Sequence, residues 1–342
     1  MKTKTKTTPH AMLRRKITQG LTLGLALGAG WASAPALAQG AYPTKPVTLM
    51  VGFPPGGQTD FAARVISNSL AANLGQGVVI ENKAGVNGNL GSADIMRSAP
   101  DGYRMLVGNG SMTVTPHVFP TLGIVDPTKF VPVGILLQSP LVLVVPAASP
   151  VKDFAQFAAL VKERAKAGKG VDYGTPGAGS LVHVTTELMR ERLGSPAMNH
   201  VPYKGSGPAV IDLMAGRIEA MFDATSVFDP YIKSGKVRAI MVTSSSRVAS
   251  LPDVPTPAEV GLKDFEIISF IGMYGPPGTR PEVVQKLNAA INTVLKEPAV
   301  IRSFQERGDQ PGGGTPEQLD AMTRAQYKLW GEVVKANKIH AE

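Results

Sequence analysis

Four short stretches are rich in glycine, at positions 54–57, 85–91, 108–111 and 174–179. Glycine lets a backbone approach a ligand closely and adopt positive φ. Where such a stretch opens a helix, the first N–H groups have no intrahelical partner and carry a partial positive charge. Loops of this kind hold anions without needing an arginine or lysine. Glycine is also an ordinary turn residue, so any one of these loops has a purely structural explanation as well.

Other residue types sketch other chemistries, less completely. Gly85, Gly88 and Gly91 repeat every third residue, but Val86 and Asn87 break the dinucleotide-binding spacing. Pro54-Pro55-Gly56-Gly57-Gln58-Thr59 has no lysine where a phosphate loop needs one. His183 and Glu187 lie one helical turn apart, yet a lone pair supplies no metal site, and a capping or packing histidine is the simpler reading. Ser180, His183 and Asp223 are the residue types of a hydrolase, but Ser180 does not stand in a nucleophile elbow. Asp223 closes an alternating strand, where it suits a turn or a ligand hydrogen bond equally. No cofactor or metal is implied.

These loops lie between strands and helices. Val47 to Gly52, Val78 to Asn82 and Tyr103 to Val107 read as strands. A helix is expected to begin near Thr59 or Asp60, with Val65, Ile66, Leu70 and Leu74 on one face. Ser92 is expected to cap a short helix, and Gly207-Pro208 to open another, with Gly216 beyond its end. Further strands are read at Leu141 to Val145, Val171 to Tyr173, Ile218 to Phe222, Val237 to Val242 and Ile267 to Tyr274. Pro281 starts a helix, and Thr315 with Gln318 makes a capping box for the last one. Alternating strands and helices imply an α/β fold with a mostly parallel sheet. In such sheets ligands gather at the carboxyl ends of the strands, where the glycine loops are.

The first residues carry a different signal. Lys2, Lys4, Lys6, Arg14, Arg15 and Lys16 precede a mildly apolar run from Ile17 to Gly30, then Ala36-Leu37-Ala38. That order predicts a secretory signal peptide over residues 1–38, cleaved after Ala38. Arg14-Arg15 also suits the twin-arginine route. Removing the segment lowers Lys+Arg from 35 to 29, leaves Asp+Glu at 26, and takes the net charge from +9 to +3. A surface so nearly neutral gives no case for nucleic acid. The chain has no cysteine, so neither disulfides nor a lipid on cysteine are available. About 300 residues at 43% apolar composition support a large core and favour two domains.

Longer motifs then fall into order: Tyr42-Pro43-x-Lys45-Pro46, Phe53-Pro54-Pro55-Gly56-Gly57-x-x-Asp60-x-x-Ala63-Arg64, Glu81-Asn82-Lys83-x-Gly85 and Pro100-Asp101-Gly102-Tyr103. They continue with His200-Val201-Pro202-Tyr203-Lys204-Gly205, Asp212-Leu213-Met214-x-Gly216, Leu251-Pro252-Asp253-Val254-Pro255-Thr256 and a final helix bearing Trp330. In this order and spacing the chain resembles the Bug family, the periplasmic binding proteins of tripartite tricarboxylate transporters.

The resemblance implies a two-lobed Venus-flytrap fold of type II-like periplasmic binding proteins, with two chain crossings near Leu141–Val145 and Ile267–Tyr274. Lobe 1 would be 39–140 plus 268–342, and lobe 2 would be 141–267. It implies a small carboxylate in the cleft, held on one side by Phe53, Gly56, Gly57, Gln58, Asp60, Asn87, Gly88 and Ser111. The opposite lobe would offer Thr175, Gly177, Ala178, Ser180, His183, Tyr203 and Asp223. The family often has Ala-Gly where this chain has Val86-Asn87, so Asn87 adds a side-chain amide to that loop. The expected protein is a periplasmic monomer, not an enzyme, whose partners are its ligand and the membrane subunits of a transporter. A ligand-sensing module for a membrane kinase and an exported hydrolase are the alternatives.

Overall fold

Short β-branched runs, each ended by glycine, proline or asparagine, set the rhythm of the chain, and amphipathic segments between them fold as helices. In the computed structural model, residues 42–339 are described. The signal segment 1–38, its cleavage site and the Arg14-Arg15 pair lie outside them. The first half runs β1 (Val47–Val51), α1 (Gln58–Leu74), β2 (Val78–Asn82), α2 (Asn89–Met96) and β3 (Arg104–Asn109). A 3-10 turn (Gly110–Thr113) and the short α3 (Thr115–Val118) follow, then the 16-residue β4 (Val131–Pro146). Next come α4 (Phe154–Lys166), β5 (Val171–Thr175), α5 (Leu181–Arg192), β6 (Met198–Pro202), α6 (Ser206–Met214), β7 (Ala220–Ala224), α7 (Thr225–Lys233) and β8 (Val237–Val242). The chain ends with β9 (Ile268–Gly275), α8 (Pro281–Val294), α9 (Pro298–Gln305), β10 (Gln310–Gly313) and α10 (Pro316–Ala336).

The strands lie in the order β2-β1-β3-β9-β4-β7-β5-β6, with β10 and β8 also paired to β4. Only the outer parts are parallel: β1 with β2 and β3, and β5 with β6 and β7. At the centre, β4 and β9 run antiparallel to their partners, so the sheet is mixed rather than mostly parallel. One strand serves two sheets. Residues 131–140 of β4 pair with β9, and 141–146 pair with β7 and β8. The chain leaves the first sheet along β4 and returns between Thr243 and Ile268, where the Ile267 N–H donates to the Thr243 carbonyl.

Burial follows this division. Met50, Leu106, Ile135, Phe270 and Tyr274 pack under the first sheet. Leu141, Leu143, Phe157, Val184 and Phe222 pack on one face of the second, and Val142, Val144, Leu213 and Phe228 on the other. Helix α10 reaches both regions. Its Leu319 joins the first-sheet cluster, whereas Trp330, Val333 and Val334 join the second. Among the described residues, no helix is long and apolar enough to cross a membrane.

Several helix starts differ from the sequence reading. Helix α1 begins at Gln58 with Gly57 as N-cap, so Thr59 and Asp60 are already helical. Both are buried, and the Asp60 carboxylate points back at the preceding loop instead of capping. Ser92 lies inside α2, where its hydroxyl donates to the Gly88 carbonyl 3.1 Å away. Helix α6 starts at Ser206, two residues before Pro208. The Thr315–Gln318 capping box and the Pro281 start are present as read.

Candidate functional site

The carboxyl ends of β1, β2 and β3 meet in one place. Gly52, Phe53, Asn87, Gly88, Gly108, Asn109 and Met112 line a recess of about 190 Å³. Glycine is required here by close approach: a Cβ on Gly52 would lie 2.6 Å from the Gly88 carbonyl oxygen. The 85–88 loop is wound almost wholly through positive φ, at 145° for Gly85, 47° for Val86, 49° for Asn87 and 89° for Gly88. A β-branched residue rarely adopts that conformation, so Val86 holds local strain at this rim.

The 53–57 loop is braced from behind by Asp60. Its Oδ2 accepts from the Gly56 N–H (2.9 Å) and Arg64 Nε (2.8 Å), and its Oδ1 accepts from Asn82 Nδ2 (2.9 Å). Asn82 also donates to the Phe53 carbonyl at 3.0 Å. Burial works to raise the Asp60 pKa, but the bonds from Arg64, the Gly56 N–H and Asn82 outweigh it and hold the carboxyl below its ordinary range. Asp60 is therefore a permanent anion that shapes the loop, and its oxygens face inward. Helices α1 and α2, capped by Gly57 and Gly88, have no side-chain cap on their first N–H groups. In α2 the Asn89 and Leu90 N–H groups donate back to the Val86 and Gly85 carbonyls, so it is the start of α1 whose first N–H groups suit an anion. Ser111 engages its neighbours through its backbone: its N–H donates to Asn109 Oδ1 and its carbonyl accepts from Thr115 Oγ1.

The loops of the second sheet are built differently. Thr175 is fully buried, with its hydroxyl 2.7 Å from His200 Nε2 and donating to the Gly177 carbonyl. Ser180 caps α5: its Oγ accepts from the His183 N–H and donates to the Gly177 carbonyl. His183 Nδ1 accepts from the Gly179 N–H, and its ring stacks on His200 at 3.9 Å between centroids. Burial lowers both imidazoles to about 4, so both are neutral at pH 7. His183 is thus a packing histidine. Its ring makes no bond to Ser180 Oγ, and a serine–histidine nucleophile is not assembled. Tyr203 gives its hydroxyl to Asp212 (2.8 Å); burial and that carboxylate raise it to about 12. Asp223 accepts from Ser206 Oγ (2.6 Å) and the Ala224 N–H (2.8 Å), and burial pushes it up to about 6.

Two side chains span the space between these groups of loops. Asn87 Nδ2 donates to the Ala178 carbonyl at 3.1 Å. Gln58 Nε2 donates to Ser226 Oγ at 3.1 Å, on α7, and to Asp309 Oδ1 at 3.0 Å, just before β10. Asp309 is fully buried, and burial pushes it up to about 6 against hydrogen bonds from Ser139, Ser226 and Gln58. So the structure brings Phe53, Asn87 and Gly88 to one recess, with Gly177 and Ala178 across from Asn87, while Gln58 turns to Ser226 and Asp309. It turns Asp60, Thr175, Ser180, Tyr203 and Asp223 toward their own loops. Sequence reasoning missed Asn82, Asn109, Ser226 and Asp309. The Glu81-Asn82-Lys83 motif and the strand-ending Asn109 were visible signals; the other two had none.

The family model described as "Tripartite tricarboxylate transporter family receptor" matches residues 62–339. The chain belongs to this family. A relative from Agrobacterium vitis is 36% identical over 302 residues, covering 87% of this chain and 86% of its own. BugT of Bordetella pertussis is 35% identical over 316 residues, covering 92% and 95%. The solved periplasmic binding protein BugD superposes with a TM-score of 0.76 at 33% identity, over 88% of this chain and 100% of that one. MatC from Rhodopseudomonas palustris, with bound malate, gives 0.76 at 32% identity, over 86% and 100%. Another R. palustris protein, with adipate, gives 0.77 at 32% identity, over 87% and 98%. The fold is thus that of periplasmic binding proteins, and the chain is a solute receptor of the tripartite family, which consists of receptors and not enzymes. The glycine-capped start of α1, without a side-chain cap, contrasts with the loop after β5, whose polar groups are satisfied internally.

Proposed function

We propose that this receptor holds a small carboxylate between two lobes, 39–140 plus 268–342 and 141–267, and presents the closed form to the membrane subunits of a tripartite tricarboxylate-type transporter. The observation that carries the reading is the glycine-capped start of α1, which has no side-chain cap and follows the loop whose Phe53 lines the recess with Gly88. The bound carboxylate takes the α1 N–H groups, with Phe53, Gly57 and Gly88 fixing its approach. Gly177 and Ala178 cover it from lobe 2. Closure is a hinge motion about β4 and the return segment before β9. Malate and adipate in two relatives support dicarboxylates as the first class to test. The protein acts as a monomer in the periplasm after cleavage behind Ala38, so amino-terminal sequencing of the exported protein should begin at Gln39.

A thermal-shift screen of mono-, di- and tricarboxylates tests the reading, because a ligand of the native state raises the melting temperature. At least one carboxylate should raise it in a saturable way. A shift with sugars or cations only would overturn the ligand class.

A further inference from the structure

Asn87 stands where two recesses meet. It lines the first with Phe53, Gly88 and Asn109, and a second, of about 230 Å³, with Asn89, Thr115, Ile124, Val125 and Phe130. Ser92 and Met112 are shared by both. The half-buried Asn87 side chain thus stands between a recess at the strand ends and a second one of mixed polar and apolar lining. The same side chain reaches the Ala178 carbonyl at 3.1 Å, and its Oδ1 lies near Gly177. Its backbone, at φ 49°, takes a conformation that asparagine and glycine tolerate and most other residues resist.

We propose that Asn87 is the specificity-determining residue for ligand length. Its amide is a clasp that forms when lobe 2 closes and a partition that confines the ligand to the first recess. Compact carboxylates leave the clasp intact. A ligand with a longer methylene chain or a ring must displace Asn87 to enter the second recess, and so loses the bond to Ala178. The lost bond adds to the steric cost of moving the side chain, so the discrimination is sharper than steric exclusion alone gives. The inference rests on the carboxylate-receptor reading above and names the ligands that reading favours.

The test compares wild type, Asn87→Gly and Asn87→Asp by titration calorimetry with malonate, succinate, glutarate and adipate. Both replacements suit the φ of position 87, and circular dichroism checks their folding. In Asn87→Gly the partition and the clasp are gone together. The preference for the shortest bound diacid over adipate should shrink by at least about tenfold. Asn87→Asp keeps the partition but has no donor for Ala178. All bound ligands should weaken at least about fivefold while the preference between them persists. A length preference in Asn87→Gly within twofold of wild type, or Asn87→Asp binding as tightly as wild type, would overturn the proposal alone. Failure of every diacid to bind wild type would overturn the receptor reading with it.

Discussion

The loops after β1 and β2 and the loop after β5 occupy equivalent places in two sheets, yet they spend their polar groups in opposite ways. After β1 and β2, side chains brace from behind and the backbone faces forward: Asp60 and Asn82 hold the loop, and the α1 and α2 starts carry no side-chain cap. After β5, side chains consume the groups in front. Ser180 caps α5, Thr175 engages His200, and His183 takes the Gly179 N–H. The start of α1 leaves its first N–H groups without a side-chain partner, whereas the loop after β5 is satisfied within itself. A seat made of backbone recognises the carboxylate group shared by many acids. Discrimination among them then falls to the few side chains that reach across.

The largest expected effect breaks the brace. Asp60→Ala removes the acceptor that holds Gly56, Asn82 and Arg64, so the loop and Asn82 lose their common anchor. Carboxylate affinity should fall about a hundredfold, ~2.7 kcal/mol, by calorimetry. An effect under threefold would mean the loop keeps its shape without the brace. Gly57→Val leaves the brace and crowds the seat. Position 57 has φ −76°, and an added Cβ meets only the Pro54 carbonyl, at 3.8 Å, so the fold should survive. Affinity should still drop at least about tenfold, ~1.4 kcal/mol. Gly77→Val, at the far end of β2 with only Pro46 nearby at 3.7 Å, is the control and should bind as wild type does.

A third prediction concerns the crossing point at Asp309. Burial holds its pKa near 6, above the ordinary carboxyl value of about 3.9, so between those pH values the folded protein carries the extra proton. That contribution is fully present below about pH 4 and is lost as pH rises through 6. Asp309→Asn keeps an acceptor for Gln58 and removes the charge. Its melting temperature should exceed that of wild type at pH 8, by roughly 2 kcal/mol of stability, and the gap should close by pH 4. A constant gap across that range would show that Asp309 is not the titrating group. The smallest effect belongs to the loop after β5. Ser180→Ala loses the cap of α5 and about 1 kcal/mol of stability, with affinity changed less than threefold. A tenfold loss of affinity would move Ser180 into the seat.

How much of this was readable beforehand differs by element. The Pro54-Pro55-Gly56-Gly57 loop, the Pro281 helix and the Thr315–Gln318 box announce themselves because their signals are local. The first half of β4 does not: Pro132, Gly134 and Gln138 break its apolar run, and the strand forms because β9 and β10 flank it. Strand β10, Gln310 to Gly313, has almost no strand character of its own. Candidate residues could be gathered from the motifs, but whether a side chain faces the ligand or its own loop depends on distant partners. Asp60 waits on Asn82, and Gln58 on Ser226 and Asp309, positions that no local pattern connects.

Strand β4 has a consequence for how the molecule comes apart. From end to end it lies inside a sheet, with partners on both flanks over much of its length, first β9 and β10, then β7 and β8. Two bodies stitched by a loop can melt one after the other. Two bodies that share an interior strand cannot, because stripping either one exposes backbone that the other still needs paired. Heating or denaturant should therefore give a single transition, with calorimetric and van't Hoff enthalpies equal. The amides of β4, shared by the two sheets, should be among the slowest in the protein to exchange with deuterium, released only when the whole chain unfolds.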